Sequence, residues 1–217
     1  MLELIVMGMP LMIPLVIESV LALAVTLDRF MAFRANGKVD VRTLRAKMLA
    51  MLEQGKEQEA LAICFNTPGP VSAVLASGLQ SYLKHRAVAR RVDSLRAVVQ
   101  DAMEDYSQQA VQAVENRLNV LAFIGSSAPL FGMTGTVTGM IASFDAIASA
   151  ASMDGTVVAT GISEALITTA AGLIIAMTAV IPYHYFTARA ERIETEVVEA
   201  AAALLDFITI KHAQLDG

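Results

Sequence analysis

Apolar residues run almost without interruption over three stretches, 4–27, 119–147 and 157–186, and polar positions dominate the rest of the chain. A helix crossing hydrocarbon needs about 20 mostly apolar residues, so the pattern predicts three transmembrane helices. Elsewhere the period is that of amphipathic helices. Residues 41–66 read as two short helices broken at Gly55, and Thr67-Pro68-Gly69-Pro70 is a stop, because proline removes a donor and disfavours helix before it. A third short helix is expected over 71–84. Val88, Val92, Leu95, Val99, Ala102, Tyr106, Ala110 and Ala113 then recur at steps of mostly three and four, with Arg90, Arg91, Asp101, Glu104 and Asp105 elsewhere on the wheel. They predict an amphipathic helix running into the second apolar stretch. Ile193, Val197, Ala200, Leu204 and Phe207 repeat the pattern after the third, which should therefore continue as helix for tens of ångströms beyond the bilayer.

The expected fold class is an all-α integral membrane protein, with three transmembrane helices and long cytoplasmic helical extensions. Its segments are an outside N-terminus with the first transmembrane helix (1–30), a cytoplasmic helical segment (31–118), the second transmembrane helix (119–147), a short outside loop (148–156), the third transmembrane helix (157–186) and a cytoplasmic C-terminal helix (187–217).

Charge fixes the orientation. Sixteen Lys and Arg fall between Arg29 and Arg117 or from Arg189 onward, so the N-terminus and the 148–156 loop carry none. Cytoplasmic loops collect Lys and Arg, which places the long middle segment and the C-terminus in the cytoplasm and the N-terminus outside. Phe30, Phe33, Tyr183 and Tyr185 stand where interfacial aromatics anchor the cytoplasmic ends. No basic residue precedes the first stretch and no small-residue cleavage site follows it, so it is expected to stay on the mature protein.

Composition narrows the function. The chain is 55% hydrophobic and 17% charged with a net charge of -5, which leaves no basic field to hold nucleic acid. One cysteine, Cys64, and three scattered histidines, His85, His184 and His212, give no disulfide and no metal-ligand spacing. Lys56 and Lys84 lack the glycine spacing of a nucleotide cradle, so no cofactor is expected.

The candidate chemistry lies inside the apolar stretches. In the second, Gly125, Pro129, Gly132, Thr136, Gly139 and Ser143 fall on one helical face that is entirely small or polar. Gly135 and Gly139 form a Gly-x-x-x-Gly pair. The face suits close helix packing or a wet pore, and both readings stand. Thr134, Thr136 and Thr138 add hydroxyls, which otherwise bond back to their own helix.

The third stretch carries Gly161, Glu164, Thr168, Ala171, Ile175 and Thr178 on one face and Ala165, Thr169, Gly172, Ala176 and Ala179 on its neighbour. An acid at this depth is costly, so Glu164 is a functional candidate, with a protonated packing residue as the alternative. Counted from the outer ends, Thr136 and Thr169 share a level roughly 16 to 18 Å deep, and Ser143 and Glu164 share one nearer outside. Glu18 in the first stretch is a second membrane acid, which pairs with a hydroxyl of the second span or touches an ion path. No basic residue inside a span neutralises either acid.

Two long motifs sharpen this picture. Gly132-Met133-Thr134-Gly135-Thr136-Val137-Thr138-Gly139-Met140-Ile141, followed by Phe144, and Gly161-Ile162-Ser163-Glu164-Ala165-Leu166-Ile167-Thr168-Thr169-Ala170-Ala171-Gly172-Leu173 resemble the two signatures of the MotA/TolQ/ExbB proton-channel family, in its ExbB and TolQ branch. The resemblance covers essentially the whole chain, whereas the four-span MotA branch fits less well. It implies a homopentamer whose second and third spans line a pore, occupied by the single-span helices of two copies of an ExbD- or TolR-like partner. That partner carries the proton on an aspartate, and a TonB- or TolA-like protein receives the work.

On that likeness Thr136 and Thr169, with Thr168 beside them, are proton-pathway residues and Glu164 is the acid of the third span. Gly132, Gly135, Gly139, Ser143 and Gly172 are helix-packing or pore-face residues. Thr169 lies about 140° around the helix from Glu164, so the two point to different interfaces. Two departures stand out: Met133 replaces an expected leucine or phenylalanine, and Glu18 belongs to no signature.

The implied function is that of a channel-forming stator subunit in a bacterial inner membrane. It energises outer-membrane transport when ExbB-like, the branch that Gly135-Thr136-Val137-Thr138-Gly139-Met140 favours, or maintains envelope integrity when TolQ-like. Protons are the expected coupling ion, with sodium open. No enzyme activity is expected. An intramembrane protease built on Ser126 or Ser127 with His184 lacks a Gly-x-Ser-x-Gly elbow, and a secondary transporter would show internal repeats with broken helices. A passive scaffold would tolerate loss of Glu164 and both threonines.

Overall fold

The structure, a computed structural model, describes residues 11–36, 40–87, 91–149 and 155–213. These form seven helices and no strand: α1 (Met12–Asn36), α2 (Val41–Glu53), α3 (Glu57–Asn66), α4 (Pro70–His85), α5 (Val92–Glu115), α6 (Leu118–Ser149) and α7 (Gly155–Ala213). They divide into two compact units. One holds the described residues of Met1–Phe30 and Arg117–Phe186, the other those of Met31–Asn116 and Thr187–Gly217. We refer to them as the apolar and the polar unit.

In the polar unit local chemistry sets the helix ends. Asp40 caps α2, its Oδ1 accepting from the backbone N–H of Arg42 at 3.1 Å and of Thr43 at 3.3 Å. Gly55 closes that helix with φ 76°, which lets the N–H of Lys56 reach back to the carbonyl of Met51 at 2.9 Å. Pro70 opens α4 at the position where its missing N–H costs nothing.

The core of this unit joins Met48 and Leu52 of α2, Cys64 of α3, Leu75 and Leu79 of α4, Leu95, Val99 and Met103 of α5 and Val197, Leu204 and Ile208 of α7. Burial pushes the Cys64 thiol up to about 11, so it stays neutral. Glu57 Oε1 accepts from Arg86 Nη1 at 2.8 Å and from Lys211 Nζ at 3.0 Å.

Two expectations for the amphipathic helix change. The stripe was expected to pass from Val99 through Ala102 to Tyr106, but it runs through Met103, and Tyr106 is 43% exposed. A step of four keeps Met103 above Val99, and Gly78 makes the room: a Cβ there would stand 2.5 Å from Met103 Sδ. The helix also does not run into the second apolar stretch, since α5 ends at Glu115 and α6 starts at Leu118 after two turn residues. Val88 lies outside the described residues.

In the apolar unit α6 and α7 are each long and apolar enough to cross a membrane. Their bounds extend the expected 119–147 and 157–186 spans, and α7 continues unbroken to Ala213. The first expected span, 4–27, falls partly outside the described residues, as do 150–154 of the outer loop. What is described of it is helical from Met12, about 24 Å of helix up to Leu27. Asp28 accepts from Arg29 at 2.7 Å and from Arg117 at 2.8 Å, so the charged end of α1 meets the start of α6 and the two helices run antiparallel. Hydrogen bonds from Arg29, then Arg117, hold the Asp28 carboxyl below its usual range.

Candidate functional site

The small residues of α6 are spent on contact with α7. Gly125 faces Val180, Gly132 faces Gly172 and Thr169, Gly135 faces Thr168, and Gly161 faces the Ser143 hydroxyl, a register that rises on one helix as it falls on the other. A Cβ at Gly172 would stand 2.5 Å from the Ala128 carbonyl oxygen, and one at Gly132 would stand 3.1 Å from the Thr169 Cα. Both obstacles are backbone, which cannot rotate away. Gly139 is buried on the same face. Within one chain, then, close packing occupies this face. Many large apolar side chains point outward instead, among them Phe123, Leu130, Val137, Ile141, Leu173, Ile174 and Ile181, whereas Leu121, Ile124 and Phe186 are buried.

The approach of the two backbones brings two threonines together. Thr169 Oγ1 donates to the Gly132 carbonyl at 2.8 Å and lies 3.4 Å from Thr136 Oγ1, which itself donates to the Met133 carbonyl at 2.7 Å. Each hydroxyl spends its proton on α6 and keeps lone pairs open as acceptors. Thr134 and Thr138 bond back to Leu130 and Thr134 of their own helix.

Thr168 is placed differently from its neighbour. It is 2% exposed, its methyl lies against Gly135, and its hydroxyl donates to the Glu164 carbonyl at 3.1 Å. It therefore belongs with Ala165, Gly172, Ala176 and Ala179 in the buried line of α7 rather than on the Glu164 face. Glu164 and Thr169 flank that line on opposite sides. The Glu164 side is an open groove between α6 and α7, lined also by Gly139, Ser143, Thr156, Thr160 and Gly161. The shared level of Ser143 and Glu164 becomes one recess with an acid on its wall.

Glu18 is only 6% exposed, and its Oε1 lies 2.6 Å from Ser127 Oγ of α6. Of the two readings of this acid, pairing with a hydroxyl of the second span is the one the geometry shows. The sequence alone does not single out this partner, since Ser127 enters there only as a candidate nucleophile. A signal existed: Glu18 lies ten residues before Asp28 and Ser127 ten after Arg117, and those two bridge. Ser127 is turned toward Glu18 and the Phe123 carbonyl, and Ser126 toward the carbonyls of Ala122 and Phe123. His184 packs its ring against Tyr183. No group of three or more His, Cys, Asp or Glu able to hold a metal occurs among the described residues.

Set beside known proteins, residues 66–199 match the family model of the MotA/TolQ/ExbB proton channel family. The chain belongs to that family. It is 30% identical over 164 residues to the biopolymer transport protein ExbB of Pseudomonas putida, covering 76% of this chain and 50% of that protein. It is 34% identical over 128 residues to the Tol-Pal system protein TolQ of Haemophilus influenzae, covering 58% and 55%. With TolQ of Pseudomonas aeruginosa it shares 40% over 99 residues, covering 46% and 43%. The chain thus spans about half the length of these curated relatives. The family match contains Thr136, Glu164, Thr168 and Thr169, whereas Glu18 lies outside it.

Proposed function

We propose that the chain is the channel-forming stator subunit of a proton-driven motor in a bacterial inner membrane. Its three spans would cross with the N-terminus outside and the C-terminus in the cytoplasm. Five copies would surround an ExbD- or TolR-like single-span partner, and a TonB- or TolA-like protein would carry the motion onward. The observation that carries this reading is the pair of hydroxyls, Thr136 and Thr169, 3.4 Å apart on one flank of a tight two-helix seam whose other flank presents Glu164.

Their protons are committed to the helix, so the outward property of the pair is acceptance. Acceptors without fixed charge suit a partner carboxylic acid, which can donate to them when protonated and leaves when it ionises. Glu164, on the opposite flank, serves a separate interface or the outer access to the path. Each charge crossing releases about 2.3 kcal/mol per 100 mV, so several protons in sequence drive discrete steps. The residues between act by position, and no covalent step, metal or cofactor enters.

We favour the ExbB-like role, energising transport across an outer membrane. The 40% identity to a TolQ over 99 residues supports the alternative of envelope maintenance. Proton uptake by proteoliposomes containing the chain with its partner tests the core of the proposal. Thr169→Val and Glu164→Gln are each expected to slow uptake about tenfold or more at unchanged protein level, the scale of one lost hydrogen bond to a charged or ionising group. Uptake unchanged in both variants would refute the path. Proton uptake that requires sodium would change the coupling ion.

A further inference from the structure

The proposed path makes no use of a cavity of about 240 Å³ that lies wholly within the polar unit. Phe33 of α1, Leu44 of α2 and Ile193 of α7 line it together with Arg189, Arg192 and Glu196 of α7. Phe33 and Leu44 are buried, whereas the three charged residues are exposed, so the cavity is apolar within and charged at its mouth.

The mouth sets two guanidinium groups against one carboxylate. Arg192 and Glu196 stand a turn apart on α7 but make no ion pair, and Arg192 has no ion pair or hydrogen bond with any other described residue. Elsewhere in the unit Arg45, Arg86 and Lys211 each meet an acid. Arg192 therefore keeps its planar fork of donors free beside an apolar hollow, the geometry that suits a phosphate. Gly69 opens α4 without a side chain to cap it, which leaves the N–H groups of Val71 and Ser72, at the same cavity, without a partner in their helix.

Position along the chain narrows the occupant. Phe33 follows Leu27 on the continuous helix α1, and Arg189 follows Phe186 on α7, so each stands within about 9 Å of the expected end of its span. That is the level of the cytoplasmic headgroups, where anionic lipids collect. A bare phosphate would satisfy the mouth and leave the hollow empty, whereas an uncharged hydrocarbon would fill the hollow and leave Arg192 unpaired. A phospholipid meets both. The volume equals that of roughly eight waters, room for a phosphate and its glycerol but not for a whole lipid.

We propose that this cavity binds the head of one anionic phospholipid of the cytoplasmic leaflet. Arg189 and Arg192 hold its phosphate, the glycerol lies against Phe33 and Ile193, and the acyl chains return to the bilayer. The lipid then ties the end of α1 to α7 where both leave the membrane. This site rests on the membrane placement of those two helices, and on no partner and no proton flux.

The test is binding of dioctanoyl phosphatidylglycerol to the protein extracted from its own membranes and stripped of lipid in neutral detergent. Native mass spectrometry counts the bound lipid, and the rise in unfolding temperature gives its affinity. One lipid per chain is expected, bound about tenfold or more weakly in Arg192→Gln and in Arg189→Gln. Arg34→Gln removes a charge at a similar level of α1 but outside the cavity, and is expected to leave binding unchanged. All three arginines are exposed, so these variants keep the core intact. Dioctanoyl phosphatidylcholine and glycerol 3-phosphate, the one without net charge and the other without chains, should each bind at least tenfold more weakly than the anionic lipid. Equal weakening in Arg34→Gln and Arg192→Gln overturns the site in favour of general surface attraction, and equal binding of phosphatidylcholine overturns it as well. Glycerol 3-phosphate bound as tightly as the lipid would make the ligand a soluble phosphate and overturn the lipid assignment. None of these readings involves Thr136, Thr169 or Glu164, so failure of the proton-uptake test leaves this site standing.

Discussion

In the polar unit large side chains fill the core, with Met48, Leu52, Leu75, Leu79, Leu204 and Ile208 fully buried. In the apolar unit the contact between α6 and α7 is made by small residues such as Gly132, Gly135, Thr168 and Gly172, and while Leu121, Ile124 and Phe186 are buried, many large side chains, among them Phe123, Leu130 and Ile174, face outward. The same chain obeys two packing rules because it meets two solvents. In water, burying a large side chain drives assembly, so leucines meet and charges such as Glu57, Arg86 and Lys211 lie at the rim. In lipid a leucine gains nothing by leaving the tails, so association depends on van der Waals contact between backbones and on hydroxyls that find carbonyls.

Substitutions that remove volume from one region and add it to the other put this contrast to the test. Leu79→Ala, in the middle of the polar core, is expected to cost about 3 kcal/mol through lost burial and the cavity left behind. Denaturant unfolding followed by helix signal reads it, and a cost near zero would mean that this core is not packed as described. Gly172→Ala adds only one methyl but aims it at the Ala128 carbonyl, and about 2 kcal/mol is expected. Thermal unfolding in detergent should show the loss. A neutral result would show that α6 and α7 lie farther apart than the seam requires.

The smallest effect belongs to the rim. Burial of Glu57 raises its carboxyl, but the hydrogen bond from Lys211 and the charges of Lys211 and Arg86 outweigh it and hold the group below its ordinary value of 4.5. A carboxyl lowered by folding adds stability that is complete above the unfolded value and disappears as pH falls through the lower folded one. Glu57→Gln should therefore lose up to about 1 kcal/mol at neutral pH and show a shallower acid decline than the wild type below pH 4.5. Identical acid profiles for the two proteins would remove the ion pairs from the account of this unit.

Much of this was legible along the chain. Gly55, the Thr67 to Pro70 stop and the Ile193, Val197, Ala200, Leu204 line are local signals, a left-handed turn, missing donors and a period, and the helices end and pack where those signals fall. The levels of Thr136 and Thr169 followed from counting residues inward from the ends of two antiparallel helices. Met103 escaped notice because the pocket that takes it is made by Gly78, on another helix, and periodicity within α5 cannot see that space.

The sequence by itself determined the family through two long motifs, the number of apolar stretches, and the placement of sixteen basic residues away from the first apolar stretch and from the 148–156 segment. Each is a one-dimensional property, a run, a spacing or a count. Only the tertiary structure decided that Thr168 turns into the seam while Thr169 stays at its edge, that Gly132 and Gly172 exist to let backbones touch, and that Glu18 meets Ser127. Those outcomes depend on which face of one helix meets which face of another. That choice is set by side-chain volumes on both helices at once, and no single stretch of sequence contains it.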